Sequence, residues 1–578
     1  MVSAIPNAEY RLDSCARAIR IISRADVAQS VEQLIRNQQV VSSNLTVGSI
    51  TLAMKKTILL LAAIAIFSTL ARAGEVPGIF PRSNPPQTLQ VLERKQLSNP
   101  DWHLATIIQG MVNRAQPRIF MVESAREPGG LNIWLDYYEK EYGVQKLGTI
   151  TLREAWEKYS GLFQGYALFA FEEPWTVDVA DTYCAIHDCL PVTAEQEGLA
   201  RKAGLKKMED FRGRWQDAIT ATEWSYRELY PKCSPRIIAS IMPEHHCLRD
   251  YAYAHKIFSF YLKAQGVEFF ACQRLLRKLP QNIPVVGYIA KSMFQELIVE
   301  IMLAREDKFM VATDSVPNLS VHSGIPIRPL PSFNQWSNPP DIRNKLAVVF
   351  AITDGDNIYL QSEHYLRPDF WQSPDRGKVK VAWTVAPELY ELAPGMMRYY
   401  YQTRTANDFF VPFSGAGYTY TSFYRDSNAF VSLSKEYMEL TGLDLFWTID
   451  PQFYFTGDRR TFKKFAQPWA EQNFVKGILI GYIPSGMGKY HDDIPGFPPV
   501  LYEKASYLIT DPKTMADNIK AEALTVPARG KIILYGVNDW EVHYDDIMKT
   551  VGFLEARKDI IFISPQEAFA LIEMWRNK

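Results

Sequence analysis

The sequence predicts an α/β protein in which a C-terminal (β/α)8 barrel of the TIM type follows one or two smaller α/β domains. Three observations carry this reading. From Asp341 to Lys578, short apolar runs recur at a nearly even step. Helical stretches separate several of those runs, as parallel strands require. The segment 326–340 (PIRPLPSFNQWSNPP) is rich in proline, which removes backbone donors and biases its predecessor away from helix, so it reads as a linker in front of the barrel.

The eight predicted barrel strands are 346–352, 379–385, 408–413, 443–449, 475–480, 505–509, 531–535 and 560–563, the sixth having the weakest pattern. Helices are expected at 390–402, 426–440, 460–472, 511–523 and 543–557. Before the linker, strands are expected at 117–122, 165–171, 236–242, 267–271 and 285–290, with helices at 101–113, 211–230 and 249–264. A break near Cys233 divides this half into a subdomain at 74–232 and a second, with the linker, at 233–340; the barrel domain takes 341–578.

The N-terminus reads as a leader. Met54-Lys55-Lys56, the apolar run 57–70 and Ala71-Arg72-Ala73 have the charged head, short apolar region and small-residue cleavage site of a secretory signal peptide at 54–73. The mature chain is then expected to begin near Gly74 and to be secreted or periplasmic, with no stable membrane insertion after cleavage. A start codon assigned too far upstream accounts for residues 1–53.

The balance of 63 Lys and Arg against 64 Asp and Glu leaves no basic excess for a nucleic acid. Five cysteines follow Gly74: Cys184, Cys189, Cys233, Cys247 and Cys272. Cys184 and Cys189 are spaced either to bridge a short loop or to remain buried thiols. Glu244-His245-His246-Cys247 is not an HExxH motif, and adjacent histidines on a strand face opposite ways, so a surface or packing role is expected there rather than a metal site.

In such a barrel the residues after each strand gather at one end, where ligands bind. Here they are Thr353-Asp354-Gly355-Asp356-Asn357, Pro387-Glu388, the loop Ser414-Gly415-Ala416-Gly417-Tyr418-Thr419-Tyr420, Asp450-Pro451, Tyr482 with the 485–496 loop, and Asn538-Asp539-Trp540-Glu541. A rim of carboxylates and aromatic rings suits a neutral polyol, whose hydroxyls need hydrogen-bond partners and whose apolar face stacks on a ring. Asp354, Asp356, Glu388, Asp450 and Glu541 are the candidate catalytic acids. Asn357, Gly415, Gly417, Tyr418, Tyr420, Asn538 and Trp540 are the candidate substrate contacts. Each also has a structural reading: Asp-Gly-Asp-Asn is an ordinary turn, Asp450 can cap, and the glycines and tyrosines can pack.

The segment SGAGYTY at 414–420 resembles the signature of the GxGYxYP putative glycoside hydrolase family, with Thr421 in place of the final proline. Asp354-Gly355-Asp356-Asn357, Trp383 with Pro387, Asn407-Asp408, the 318–321 segment (NLSV) and the 109–114 segment (QGMVNR) support the likeness, over roughly residues 90–578. The resemblance implies a poly- or oligosaccharide substrate and no cofactor. Glycoside hydrolysis needs one acid to protonate the leaving oxygen and a second carboxylate as nucleophile or base. Asp354 or Asp356 is the preferred nucleophile or base, and Glu388, or Glu541 beside Trp540, the preferred acid. A noncatalytic carbohydrate-binding protein would use the same rim. A metal-assisted deacetylase would need His364 and His543 beside an aspartate of 354–357, and their spacing matches no ligand motif.

Overall fold

In a computed structural model of the chain, residues 76–577 are described, apart from 96, 123–129, 452–458, 482–495, 504, 505 and 507. The expected leader and the extension before it lie outside the described residues, as do Tyr482 and nearly all of the 485–496 loop. No helix among the described residues is long and apolar enough to cross a membrane.

Ten strands precede the Pro-rich segment, in three parallel sheets. β1 (Thr88–Glu93), β2 (Ile119–Val122) and β3 (Gln145–Ile150) lie in the order β2-β1-β3. β4 (Tyr166–Leu168), β5 (Leu190–Val192) and β6 (Lys207–Asp210) lie in the order β5-β4-β6. β7 (Ile238–Ser240), β8 (Phe258–Phe260), β9 (Ile283–Gly287) and β10 (Lys308–Ala312) form the third, in the order β10-β9-β7-β8. Helix Asn99–Asn113 is capped by the Ser98 hydroxyl, which accepts from Asp101 N–H, and it buries two amides where apolar residues would be expected. Gln109 donates to Asn318 at 2.7 Å and Asn113 to Ser320 at 2.9 Å, so two segments about 200 residues apart are tied by satisfied buried polar groups.

Two expectations in this half fail. The run 267–271 (VEFFA) is part of helix Gly266–Lys278, and Val267 and Phe270 are 73% and 58% exposed while Ala271, Cys272, Leu275 and Leu276 are buried. Periodicity over five apolar residues cannot separate the two structures; the burial at i, i+1, i+4 and i+5 is helical. The expected helix 249–264 stops at Ala254 and gives way to β8.

Eight further strands follow. β11 (Leu346–Ile352), β12 (Val381–Val385), β13 (Asp408–Pro412), β14 (Leu445–Thr448), β15 (Gly477–Ile480), β16 (Val500–Tyr502), β17 (Lys531–Val537) and β18 (Ile560–Phe562) all pair in parallel. β11 and β17 run in register from Leu346↔Lys531 to Ile352↔Val537, both buried along most of their length, which is why their sequences are continuously apolar rather than alternating. The ladder is a five-stranded sheet, β13-β12-β11-β17 with β18 beside the lower half of β11, and a three-stranded sheet, β14-β15-β16. Single bridges, Phe413↔Trp447 and Glu503↔Leu534, join the edges of the two. Among the described residues the sixth strand is Val500–Tyr502; the expected strand at 505–509 lies partly outside them, and its described residues 506, 508 and 509 are not in a strand. Pro498 and Pro499 stand just ahead of it, a place where a missing donor costs no ladder bond, and Leu508 is 63% exposed.

The third N-terminal sheet meets this half directly. β10 is an edge strand, and its exposed groups are taken up by the loops after β11 and β13: Met310 bridges Tyr418 and Ala312 bridges Asn357.

Candidate functional site

The turn after β11 is built so that an acid stands at its start. Asp354 has φ 60°, a left-handed conformation that aspartate tolerates better than most residues. Gly355 N–H donates to the Thr384 hydroxyl at 2.9 Å, and Gln361 donates to Gly355 C=O at 2.8 Å, so both flanks of the turn are pinned. Asn357 caps helix Ile358–Ser362 by accepting from Tyr359 N–H at 3.1 Å. Since β11 and β17 end in register, the turn after β17 lies alongside. Its Trp540 donates Nε1–H to Asp354 Oδ2 at 2.9 Å and stacks on Tyr359, ring centres 6.1 Å apart and planes 8° from parallel. Trp540 is 46% exposed, and Asp354, Asn357 and Tyr359 are half-buried. These four side chains form an aromatic platform with a carboxylate at its edge.

Behind that platform is a group of enclosed acids. Burial drives the Asp356 carboxyl well above the usual carboxylate range, and the charges of Asp354, Glu296 and Glu388 push the same way. Burial raises Asp539 likewise, with Asp354 next. Glu388 is 0% exposed, no other residue hydrogen-bonds its carboxyl oxygens, and burial pushes it up to about 8. Glu300 is also fully buried without a hydrogen-bond partner and is raised by burial, then by Glu296 and Asp356. Such surroundings favour the protonated form, because an unpaired charge out of water costs far more than a neutral acid.

Glu296 and Glu300 come from helix Met293–Arg305 of the N-terminal half, four residues apart and so on one helical face. Tyr418 donates its hydroxyl proton to Glu296 Oε1 at 2.9 Å, and the Tyr418 and Tyr420 hydroxyls lie 2.8 Å apart. Burial raises Glu296 above the ordinary glutamate range, against the hydrogen bonds of Tyr288 and Tyr418 and with the help of the Asp354 charge. Sequence reasoning missed Glu296, Glu300 and Asp539. The available signal was a pair of acids spaced by four in an otherwise apolar helix.

The 414–420 loop packs against the N-terminal half, the structural reading its glycines and tyrosines also had. Tyr418 and Tyr420 are buried, 5% and 4% exposed. Tyr418 exchanges backbone hydrogen bonds with Met310, N–H to O at 2.8 Å and O from N–H at 2.9 Å. A Cβ on Gly417 would stand 2.7 Å from Met310 O, and one on Gly415, at φ 94°, 2.4 Å from the Ser434 hydroxyl. The glycines therefore admit β10 and helix Ser427–Thr441, where a ligand had been expected.

Of the other expected residues, Asp450 is fully buried and accepts from Ser422 N–H at 2.8 Å and Ser422 hydroxyl at 2.6 Å, a structural engagement. Asn538 accepts from Trp540 N–H at 3.1 Å and shapes the turn. Glu541 is exposed. His364 bonds the Asp539 carbonyl at 2.9 Å, and His543 pairs with Asp369 at 2.7 Å. Among the described residues, no group of three or more His, Cys, Asp or Glu side chains is arranged to hold a metal ion. His246 of the Glu244–Cys247 cluster packs edge-on to Trp102 and meets Asn99 at 2.5 Å, and Cys184 and Cys189 are buried free thiols in contact.

A family model described as the GxGYxYP putative glycoside hydrolase C-terminal domain matches residues 344–573, the GxGYxYP_N second domain matches 163–234, and the GxGYxYP third domain matches 235–324. No curated protein matches the chain. A crystal structure described as a putative hydrolase from Bacteroides thetaiotaomicron VPI-5482 superposes with a TM-score of 0.71 at 19% identity, over 87% of this chain and 98% of that one, which shows a shared fold. The chain belongs to the GxGYxYP putative glycoside hydrolase family.

Proposed function

We propose that the protein hydrolyses glycosidic bonds in a poly- or oligosaccharide, with Asp354 as the ionised carboxylate of the reaction. The observation that carries this reading is the pairing of Trp540 with Asp354. A half-exposed indole stacked on Tyr359 offers an apolar face to a sugar ring, and its N–H fixes a half-buried carboxylate at the ring's edge. The enclosed acids complete the electrostatics. Burial raises Asp356 and Asp539, and the Asp354 charge pushes both the same way, so the protonated form is favoured at both beside a carboxylate at Asp354, where an oxocarbenium-like transition state needs negative charge. The family and the hydrolase neighbour point the same way.

In this reading the two C-terminal sheets and their two bridges act as one distorted barrel, whose strand ends carry the site. Export through the 54–73 leader suits a polysaccharide substrate outside the cytoplasm. Wild type and Asp354→Asn are to be compared on an oligosaccharide panel. The expected result is turnover by wild type and a loss of roughly 10²–10⁴-fold in the variant, with binding largely kept. Binding without turnover by wild type would favour the noncatalytic carbohydrate-binding alternative.

A further inference from the structure

We propose that Glu296, supplied by the N-terminal half, is the proton donor to the leaving group, so that the catalytic pair spans two domains. This inference rests on the proposed glycosidase function and names its second acid. An acid that protonates a glycosidic oxygen must reach the substrate. Glu388, Asp539 and Asp450 are fully buried, and Asp450 is bonded to Ser422. Glu541 is exposed and lacks a Tyr418-like support. Glu296 differs: it is half-buried, close enough to Asp354 to feel its charge, and held by a 2.9 Å hydrogen bond from Tyr418.

The support around it is specific. Tyr418 is fixed by its two backbone bonds to Met310 and by the Tyr420 hydroxyl, so it presents its phenol to Glu296 Oε1, and the Tyr288 phenol is a second hydrogen-bond partner of the same carboxyl. The groups facing Glu296 are the phenols of Tyr288, Tyr418 and Tyr420 and the carboxyls of Asp354, Asp356 and Glu300, with no Lys or Arg among them. Burial and the neighbouring carboxylates favour its protonated form, the form a proton donor needs. In the reaction the proton passes from Glu296 to the glycosidic oxygen as the C1–O bond breaks, and the electron pair leaves with that oxygen. Water ultimately makes the new bond at C1, directly or after an ester to Asp354, and its released proton replaces the one Glu296 gave. The family signature thereby acquires a purpose: its glycines let the loop reach β10, and its first tyrosine positions an acid from the other domain.

The test compares wild type, Asp354→Asn and Glu296→Gln on oligosaccharides and on a dinitrophenyl glycoside, whose departing phenolate needs no proton. Asp354→Asn is expected to lose both activities. Glu296→Gln is expected to lose oligosaccharide turnover by roughly 10²–10⁴-fold, to keep the dinitrophenyl activity within about tenfold, and to lose the basic limb of the pH profile. If Asp354→Asn is inactive while Glu296→Gln loses both activities equally, or neither, the proton-donor role is overturned and the glycosidase reading stands. If wild type cleaves no glycoside, that reading falls and takes the donor with it. Should Glu296→Gln fail to fold, a ¹³C-glutamate titration of the intact protein, with Glu296 identified through Glu296→Asp, decides: a carboxyl still protonated at neutral pH supports the role, and one ionised in the ordinary glutamate range overturns it.

Discussion

Two groups of buried acids in this molecule have opposite environments. In the N-terminal half, Asp178 and Asp181 are met by Arg249, whose guanidinium reaches them at 2.8 and 2.5 Å, and His103 adds a 2.9 Å contact to Asp181. Arg249 also donates to the Met242 and His245 carbonyls, so its donors are well occupied. In the C-terminal half, Asp356, Glu388 and Asp539 sit as deep, and no cation contributes to them. The first arrangement ties helix Trp175–His187 to helix Arg249–Ala254 through a buried ion pair. The second is an unfavourable arrangement for stability, held in place by the surrounding fold, and such local conflict is expected where a site needs fixed electrostatics.

The largest effect should come from breaking the paired group. Arg249→Met leaves two carboxyls buried without their cation and should destabilise the protein by about 3–5 kcal/mol, measured by denaturant unfolding near neutral pH. A loss below about 1 kcal/mol would mean that the aspartates are hydrated and the contrast is false.

The unpaired group should respond in the other direction and through pH. Glu388 has a folded-state value of about 8, above the ordinary value near 4.5, so the folded state binds the extra proton between those limits. Its contribution to stability is fully present below pH about 4.5 and is lost as pH rises through about 8. Glu388→Gln carries no such titration. Its stability relative to wild type should therefore climb across that window by a few kcal/mol and level off above it. A difference that stays flat from pH 5 to 9 would show that Glu388 is ionised or solvated in the folded protein.

How far the sequence revealed these regions depends on where each partner lies in the chain. β11 to β15, β17 and β18 were legible because strands buried on both faces leave continuous apolar runs. β16 was misplaced because the proline pair ahead of it reads as a loop, though proline is tolerated just before a strand. The Asp354–Asn357 turn was readable, since acids after a barrel strand point to one end of the sheet. The role of Gly415 to Tyr420 was not. Its partner is β10, about 100 residues earlier, and nothing local in the loop points to that strand. Glu296 was hidden for the same reason: its partner Tyr418 lies 122 residues later in the chain.

The proposed chemistry at Asp354 on the Trp540 platform, with the seam to the N-terminal half as the opposite wall, is open to a direct check by a crystal structure of Asp354→Asn bound to an uncleaved oligosaccharide. The predicted result is a sugar ring over the Trp540 indole, with its glycosidic oxygen facing Glu296 and its anomeric carbon facing residue 354. An oligosaccharide bound elsewhere, with Trp540 bare and Glu296 out of reach of the glycosidic oxygen, would contradict it.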